Sequence, residues 1–330
     1  MESSKKLVVI IPALNEEKTI AEVISAIPNH LEAITLTQVI VVNDGSTDTT
    51  AAVAGEAGAT VVSHHKPMGV GAAFHTGIKE ALMAGADVII NIDADGQFDP
   101  SDIPRLLKPI LDNDADFVTA SRFADPALAP HMPDVKRWGN GWVTTIVNIL
   151  TGKKFTDVSC GFRAYSREAA LRLTLFGHFT YTQETFIDLA FKNMRILEVP
   201  LKVRGEREHG TSRVASNLWR YGTKSATIMF RAARDYKPFY FIGVPGIIIF
   251  MIGVAGGLFV LNHYLQTGQT SPFRSLVTVS GILLIIGFLV FFISLLADML
   301  HRNRVLIEEM LYLARKEAYG REAHRNDKTA

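Results

Sequence analysis

Asp93, Ala94 and Asp95, followed by Gly96 and Gln97, come directly after the apolar run Asp87-Val88-Ile89-Ile90-Asn91-Ile92. Two carboxylates two residues apart, where a buried strand runs out into a loop, can both reach one divalent cation. Mg²⁺ and Mn²⁺ prefer oxygen ligands and often bridge a protein carboxylate to substrate phosphates. The placement points to metal-assisted chemistry on a phosphorylated substrate. Asp and Gly are also ordinary turn residues, so the pair alone leaves a solvated turn as the bland alternative. Position favours the site, because ligands of open α/β sheets bind beyond the carboxyl ends of the strands.

The elements that must hold this loop alternate along the first ~200 residues. Residues 7–11 form a continuous apolar run that Pro12 ends, and 39–42, 60–62, 87–92 and 117–120 read as further strands. Between them, 16–27, the stretch from about Thr49, 69–83 and 101–111 have helical character, with Ile20, Val23, Ile24 and Ile27 on one face of the first. This alternation predicts an α/β, Rossmann-like, mostly parallel sheet with helices on both faces. Three chemically loaded loops, 12–17, 43–48 and 93–97, then fall at strand ends and share one sheet edge, as a nucleotide-diphosphate site requires.

Composition narrows the partners. Net charge is +1 with 20% charged residues, so there is no global basic field and no nucleic-acid partner is expected. Cys160 is the only cysteine, which excludes an intrachain disulfide and a cysteine zinc cluster. It reads as a small buried residue. His64 and His65 read as loop decoration. The N-terminal stretch lacks a signal-peptide pattern, so the N-terminal part is expected in the cytoplasm.

Residues 239–264 and 273–296 are nearly free of charge, and each is long enough to cross a bilayer as a helix. Arg220, Lys224, Arg231, Arg234 and Lys237 precede the first stretch, Arg302, Arg304, Arg315 and Lys316 follow the second, and 265–272 between them carries no Lys or Arg. That asymmetry predicts an integral membrane protein with both ends cytoplasmic and a short hairpin tip outside. Residues 217–236 mix apolar and basic side chains as an interfacial helix would. The expected organisation is a catalytic domain over 1–214, a juxtamembrane helix over 215–238, a membrane hairpin over 239–298 and a basic tail over 299–330.

Ile11-Pro12-Ala13-Leu14-Asn15-Glu16-Glu17, Val41-Val42-Asn43-Asp44-Gly45-Ser46-Thr47-Asp48 and Asp93-Ala94-Asp95-Gly96-Gln97 have the order and spacing of family 2 glycosyltransferases with the GT-A fold. Ser159-Cys160-Gly161-Phe162-Arg163-Ala164-Tyr165 and Glu198-Val199-Pro200 extend the match. With two C-terminal spans, the chain resembles polyprenyl-phosphate glycosyltransferases of the dolichol-phosphate mannose synthase type and their undecaprenyl-phosphate counterparts.

The resemblance implies inverting transfer of one sugar from a nucleotide-sugar to a dolichyl or undecaprenyl phosphate at the cytoplasmic membrane face. It implies Pro12, Leu14, Glu16 and Asp44 around the nucleobase, with Gly69, Asp93, Ala94, Ser212 and Arg213 also on the donor. Asp93, Asp95 and the Gln97 amide oxygen resemble the family's set for Mg²⁺ or Mn²⁺. Arg122 and Arg137 would hold the acceptor phosphate, Arg137 just ahead of the apolar-rich stretch 138–150, with Asp157 and Glu184 as further site residues. UDP-glucose is the preferred donor and GDP-mannose the alternative, and the sequence leaves a homo-oligomer open. A processive polysaccharide synthase would carry Gln-x-x-Arg-Trp and more spans, and a non-catalytic nucleotide-sugar-binding scaffold would not need Asp93 and Asp95.

Overall fold

A computed structural model describes residues 5–130, 132, 134–175, 181–204, 227, 230, 231 and 234–327. Two compact units divide the chain, Met1–Ile228 with Met310–Ala330, and Met229–Glu309.

Among the described residues, the first unit is built on seven strands: β1 (Lys5–Ala13), β2 (Ile34–Asn43), β3 (Thr60–Ser63), β4 (Val88–Asn91), β5 (Phe117–Ser121), β6 (Arg163–Ser166) and β7 (Ile196–Pro200). Their order in the sheet is β3-β2-β1-β4-β6-β5-β7. All neighbours pair in parallel except that β6 runs against both β4 and β5. The mostly parallel expectation holds, and β6 and β7 are the two strands the hydrophobic pattern did not reveal. The strand order turns back between β1 and β4, the kind of place where the crevice of an open α/β sheet opens. Because β6 is reversed, the loop that enters it reaches the same edge as the loops that leave β1, β2, β4 and β5.

The helices are α1 (Ile20–Ser25), α2 (Thr50–Glu56), α3 (Val70–Met83), α4 (Ile103–Leu111), α5 (Asp134–Thr151), α6 (Arg167–Arg172) and α7 (Thr182–Phe191). α4 shows why the sequence folds as it does. Asp99 accepts from the Ser101 amide at the preceding turn, Pro104 sits where no intrahelical donor is needed, and Ile103, Leu106, Leu107 and Ile110 form one buried face. α1 is shorter than expected, because Glu16 to Thr19 make a turn in which the Glu16 carbonyl accepts from the Thr19 and Ile20 amides. The core joins Leu7, Val9, Ile11, Val41, Ile90, Val118 and Phe162 to these helix faces.

Two more helices follow, α8 (Val244–Thr267) and α9 (Arg274–Asp327). The stretches Phe239–Thr267 and Arg274–Gly320 are each long and apolar enough to cross a membrane. α9 runs unbroken through the stretch expected as a basic tail. Its C-terminal part belongs to the first unit: the Tyr312 hydroxyl donates to Glu168 at 3.0 Å, Arg172 lies 4.0 Å over the Tyr312 ring, and Arg315 donates to the Leu171 and Leu173 carbonyls at the end of α6.

Candidate active site

The three loaded loops are stitched together, as their strand-end positions require. Pro12 is buried at the penultimate position of β1, and Leu14 and Glu16 are half-buried just beyond the strand. Asn15 adopts a left-handed conformation (φ 53°) that Asn tolerates better than most residues. Its amide donates to Ser46 Oγ (2.9 Å), and its side-chain oxygen accepts from the Thr47 amide (2.8 Å). The Asp44 amide donates to the Ala13 carbonyl and the Glu16 amide to Thr50 Oγ1. Thr19 Oγ1 then donates across to the Ala94 carbonyl at 2.7 Å, which fixes the first loop against the Asp93–Asp95 loop.

Asp44 is a buried hub. Its Oδ1 accepts from His64 Nδ1 at 2.7 Å and from the Met68 amide at 2.9 Å, and its Oδ2 accepts from the Gly69 amide at 2.8 Å. The Gly69 N–H is thus committed to Asp44, at a residue with φ 101° immediately before α3. Asn43 shapes the turn itself, accepting from the Ser46 amide and donating to Ser63 Oγ. His64 corrects the sequence reading: its ring is pinned between Asp44 and Thr76 Oγ1 (2.9 Å) and is largely buried.

Asp95 is buried and its Oδ1 accepts from the Gln97 amide at 3.1 Å, a tight turn that sets the pair's spacing. Gln97 Nε2 donates to the Arg204 carbonyl, which fixes its side-chain amide. Asp93 is half-buried against Gly161, where an added Cβ would come within 2.5 Å of Asp93 Oδ2. Gly161→Ala is therefore expected to displace the Asp93 carboxylate and lower metal-dependent turnover about tenfold or more, since the flexible carboxylate yields before the backbone. Activity against metal concentration checks this, and an unchanged curve would separate Gly161 from the site. Tyr181 stacks on Phe74 and receives the Asn91 side-chain amide at 2.8 Å. Burial, and then the Asp93 carboxylate, push the Tyr181 phenol well above its ordinary value, so it stays protonated.

A second cluster lies at the entry to β6. Arg122 grips Asp157 in a two-point pair, Nε to Oδ2 at 2.6 Å and Nη2 to Oδ1 at 2.9 Å, and also donates to Ser159 Oγ at 2.7 Å. Burial pushes the Asp157 carboxyl up, but the Arg122 charge and the donors around it prevail and hold it below the usual carboxylate range. Glu198, from β7, accepts from the Thr156 and Asp157 amides and is raised by burial. Ser159 Oγ also hydrogen-bonds the Asn140 side-chain oxygen on α5. Arg137 is exposed one turn before Asn140 and shares its face of that helix. Arg163, fully buried, donates to the Val158, Cys160 and Thr182 carbonyls and so braces this loop.

Loop 157–161 joins the two clusters: Asp157 and Ser159 touch Arg122, and Gly161 abuts Asp93. Glu184 is half-buried in the first turn of α7. Ser212 and Arg213 lie outside the described residues, as does most of the expected interfacial helix. The Cys160 thiol is buried and pushed up to about 12, which suits packing, not nucleophilic chemistry. Among the described residues, no three Asp, Glu, His or Cys side chains form a closed metal cluster. Sequence reasoning missed His64, Asn91 and Tyr181, and left Gly161 and Glu198 without roles. For Gly161 and Glu198, the motif stretches that contain them were the available signal.

The family described as Glycosyl transferase family 2 matches residues 8–174. The UDP-N-acetylglucosamine–dolichyl-phosphate N-acetylglucosaminyltransferase of Methanococcus voltae is 33% identical over 61% of this chain and 86% of its own. The polyprenol monophosphomannose synthase of Mycolicibacterium smegmatis is 28% identical over 70% of this chain and 86% of its own. Among solved structures, glucosyl-3-phosphoglycerate synthase from Mycobacterium tuberculosis, in complex with Mn²⁺, UDP-glucose and phosphoglyceric acid, superposes with a TM-score of 0.51. It is 25% identical and covers 70% of this chain and 80% of that one.

Proposed function

The chain belongs to glycosyl transferase family 2, and from that premise we propose that it moves one sugar from a nucleotide-diphosphate sugar to the phosphate of a polyprenyl lipid. It is a glycosyltransferase whose catalytic unit has the GT-A fold. Two relatives, one named for a dolichyl-phosphate acceptor and one for a polyprenol monophosphomannose product, support the lipid acceptor. The observation that carries the reading is loop 157–161, which abuts the Asp93 carboxylate at one end and binds the Arg122 guanidinium at the other.

Asp93 and Asp95 fit a hard divalent cation. With no cluster of three Asp, Glu, His or Cys side chains among the described residues, the two carboxylates, joined by the Gln97 amide oxygen, would leave positions for substrate oxygens, the way Mg²⁺ is usually held, and the fold neighbour solved with Mn²⁺ and UDP-glucose agrees. When bound, the cation neutralises charge on the departing diphosphate. Asp44, Glu16 and Leu14 would hold the base, with Ser212 and Arg213 over the diphosphate. Arg122, held by Asp157 and Ser159 through Nε and Nη2, would bring its positive charge to the acceptor phosphate, with Arg137 assigned to the same phosphate and Glu184 to the sugar.

A lipid phosphate is already ionised near neutral pH, so positioning and electrostatics replace a strong base. Its oxygen attacks the anomeric carbon as the bond to the diphosphate breaks. The electron pair leaves with the nucleoside diphosphate, and the anomeric centre inverts.

α5 supports a membrane-side acceptor. Val135, Trp138, Trp142 and Ile149 form an exposed apolar stripe, Trp138 at 73% exposure, while Val143, Thr144 and Val147 face inward. Indole rings suit the headgroup region, and the exposed Lys153 and Lys154 follow the stripe. Replacing Trp138 and Trp142 with Ser is expected to slow transfer to polyprenyl phosphate in vesicles by about tenfold, with a short-chain acceptor in detergent little affected. Equal loss with both acceptors would remove the stripe from the membrane.

The proposal is tested with the full chain, polyprenyl phosphate and labelled sugar nucleotides. Label should pass into the lipid phase only with both lipid and divalent metal present. Transfer to a water-soluble phosphate in preference to the lipid would overturn it.

A further inference from the structure

The hydrogen bonds already made by Asp44 decide which base its carboxylate can take. An ionised carboxylate offers about four acceptor positions, two on each oxygen. Oδ1 uses both of its positions, for His64 Nδ1 and the Met68 amide, and Oδ2 uses one, for the Gly69 amide. One position on Oδ2 is left. The side chain is only 5% exposed, so water does not compete broadly for it.

The clamp is rigid. A carboxylate oxygen can only accept, so His64 Nδ1 carries a proton, while Nε2 hydrogen-bonds Thr76 Oγ1 on α3 and fixes the ring from its other side. Gly45 lies under the same loop at φ 72°, where a Cβ would stand 2.7 Å from the Lys66 carbonyl carbon and the Pro67 nitrogen. The 64–69 segment therefore closes tightly over the Asp44 turn.

Resting on the proposed role of Asp44 as the base contact, we infer that this clamp makes the enzyme uridine-specific, with His64 as the positioning residue that excludes guanosine donors. Uracil presents a single imide N–H between two carbonyl oxygens, and one acceptor position satisfies it. Guanine presents its ring N–H and exocyclic amine side by side and needs both carboxylate oxygens. With Oδ1 saturated, one guanine donor is left unpaired in a buried site. A site that cannot pair a buried polar group discriminates strongly against its owner.

Binding of UDP and of GDP to the detergent-solubilised full chain, each with Mn²⁺, tests this. UDP is expected to bind about tenfold tighter or more. GDP binding as tightly as UDP would overturn the inference and leave the transferase reading standing. Failure of both nucleotides to bind, with no transfer from any donor, would overturn both.

His64→Ala frees an acceptor position on Oδ1, so the UDP preference should shrink toward one. His64→Asn, whose amide can reach Asp44 from the same side as Nδ1, should restore part of it. Equal weakening of UDP and GDP in His64→Ala, with the ratio unchanged, would show a merely structural histidine and defeat its selective role.

Discussion

Asp95→Asn is expected to lower sugar transfer roughly a hundred- to a thousandfold while leaving the fold in place. Asp95 is buried at 3% exposure at the carboxyl end of β4, where its Oδ1 accepts from the Gln97 amide. Asn keeps the size and an oxygen for that turn, so the loop should survive. What would disappear is one unit of negative charge at the proposed cation site, and with it metal affinity. Transfer measured against metal concentration, together with the thermal midpoint, separates the two effects. Full activity at ordinary metal concentrations would remove Asp95 from the site, and a collapsed midpoint would mean the residue is needed chiefly for folding.

Arg122→Ala should have the second large effect, and on two readouts. Asp157 is fully buried and Arg122 is 20% exposed on its side chain, so removing the arginine leaves an uncompensated buried carboxylate. That costs roughly 3 kcal/mol, the low end of the range for broken buried pairs, because Arg122 keeps some solvent. Transfer to the lipid phosphate should fall as well. The double variant Arg122→Ala/Asp157→Ala separates the roles: stability should largely return, since no buried charge is stranded, while transfer stays low. Recovery of both would mean that Arg122 serves the fold alone.

The same pair fixes a pH signature. The folded-state Asp157 carboxyl is depressed below its ordinary value, so its stabilisation is present above that value and is lost as pH falls through the depressed one. Wild-type stability should therefore drop on acidification below about pH 4. In Arg122→Ala the guanidinium charge and its two side-chain hydrogen bonds are lost, and only the Ser159 and residue-122 amides and Ser159 Oγ still oppose burial, so the acid-side loss of stability should be smaller than in the wild type. Thermal midpoints across the acid range distinguish the two slopes.

The sequence made the proposed donor side of the site more legible than the proposed acceptor side, for physical reasons. β1, β4 and the C-terminal half of β2 are buried on both faces, so they appear as unbroken apolar runs, and their ends carry Pro12, Asp44 and Asp93 in order. β6 begins with a buried arginine and includes Tyr165, and β7 carries Glu198, so neither presents an apolar run. Without β6 the reversed strand stays hidden, and so does the reason that loop 157–161 reaches the edge of β4. Arg122 and Asp157 were each nominated from the family pattern, but that they grip one another across 35 residues is a tertiary fact. His64 was misread because a histidine pair on a polar stretch resembles a solvated loop. Only the fold brings Asp44 and Thr76 to opposite nitrogens of its ring.

A single-turnover reaction of the full chain with a labelled sugar nucleotide, polyprenyl phosphate and Mn²⁺, followed by identification of both products, tests the central claim most directly. The expected products are a nucleoside diphosphate and a lipid in which one phosphorus bridges prenol and sugar. A nucleoside monophosphate, or a lipid carrying two phosphorus atoms between prenol and sugar, would contradict it.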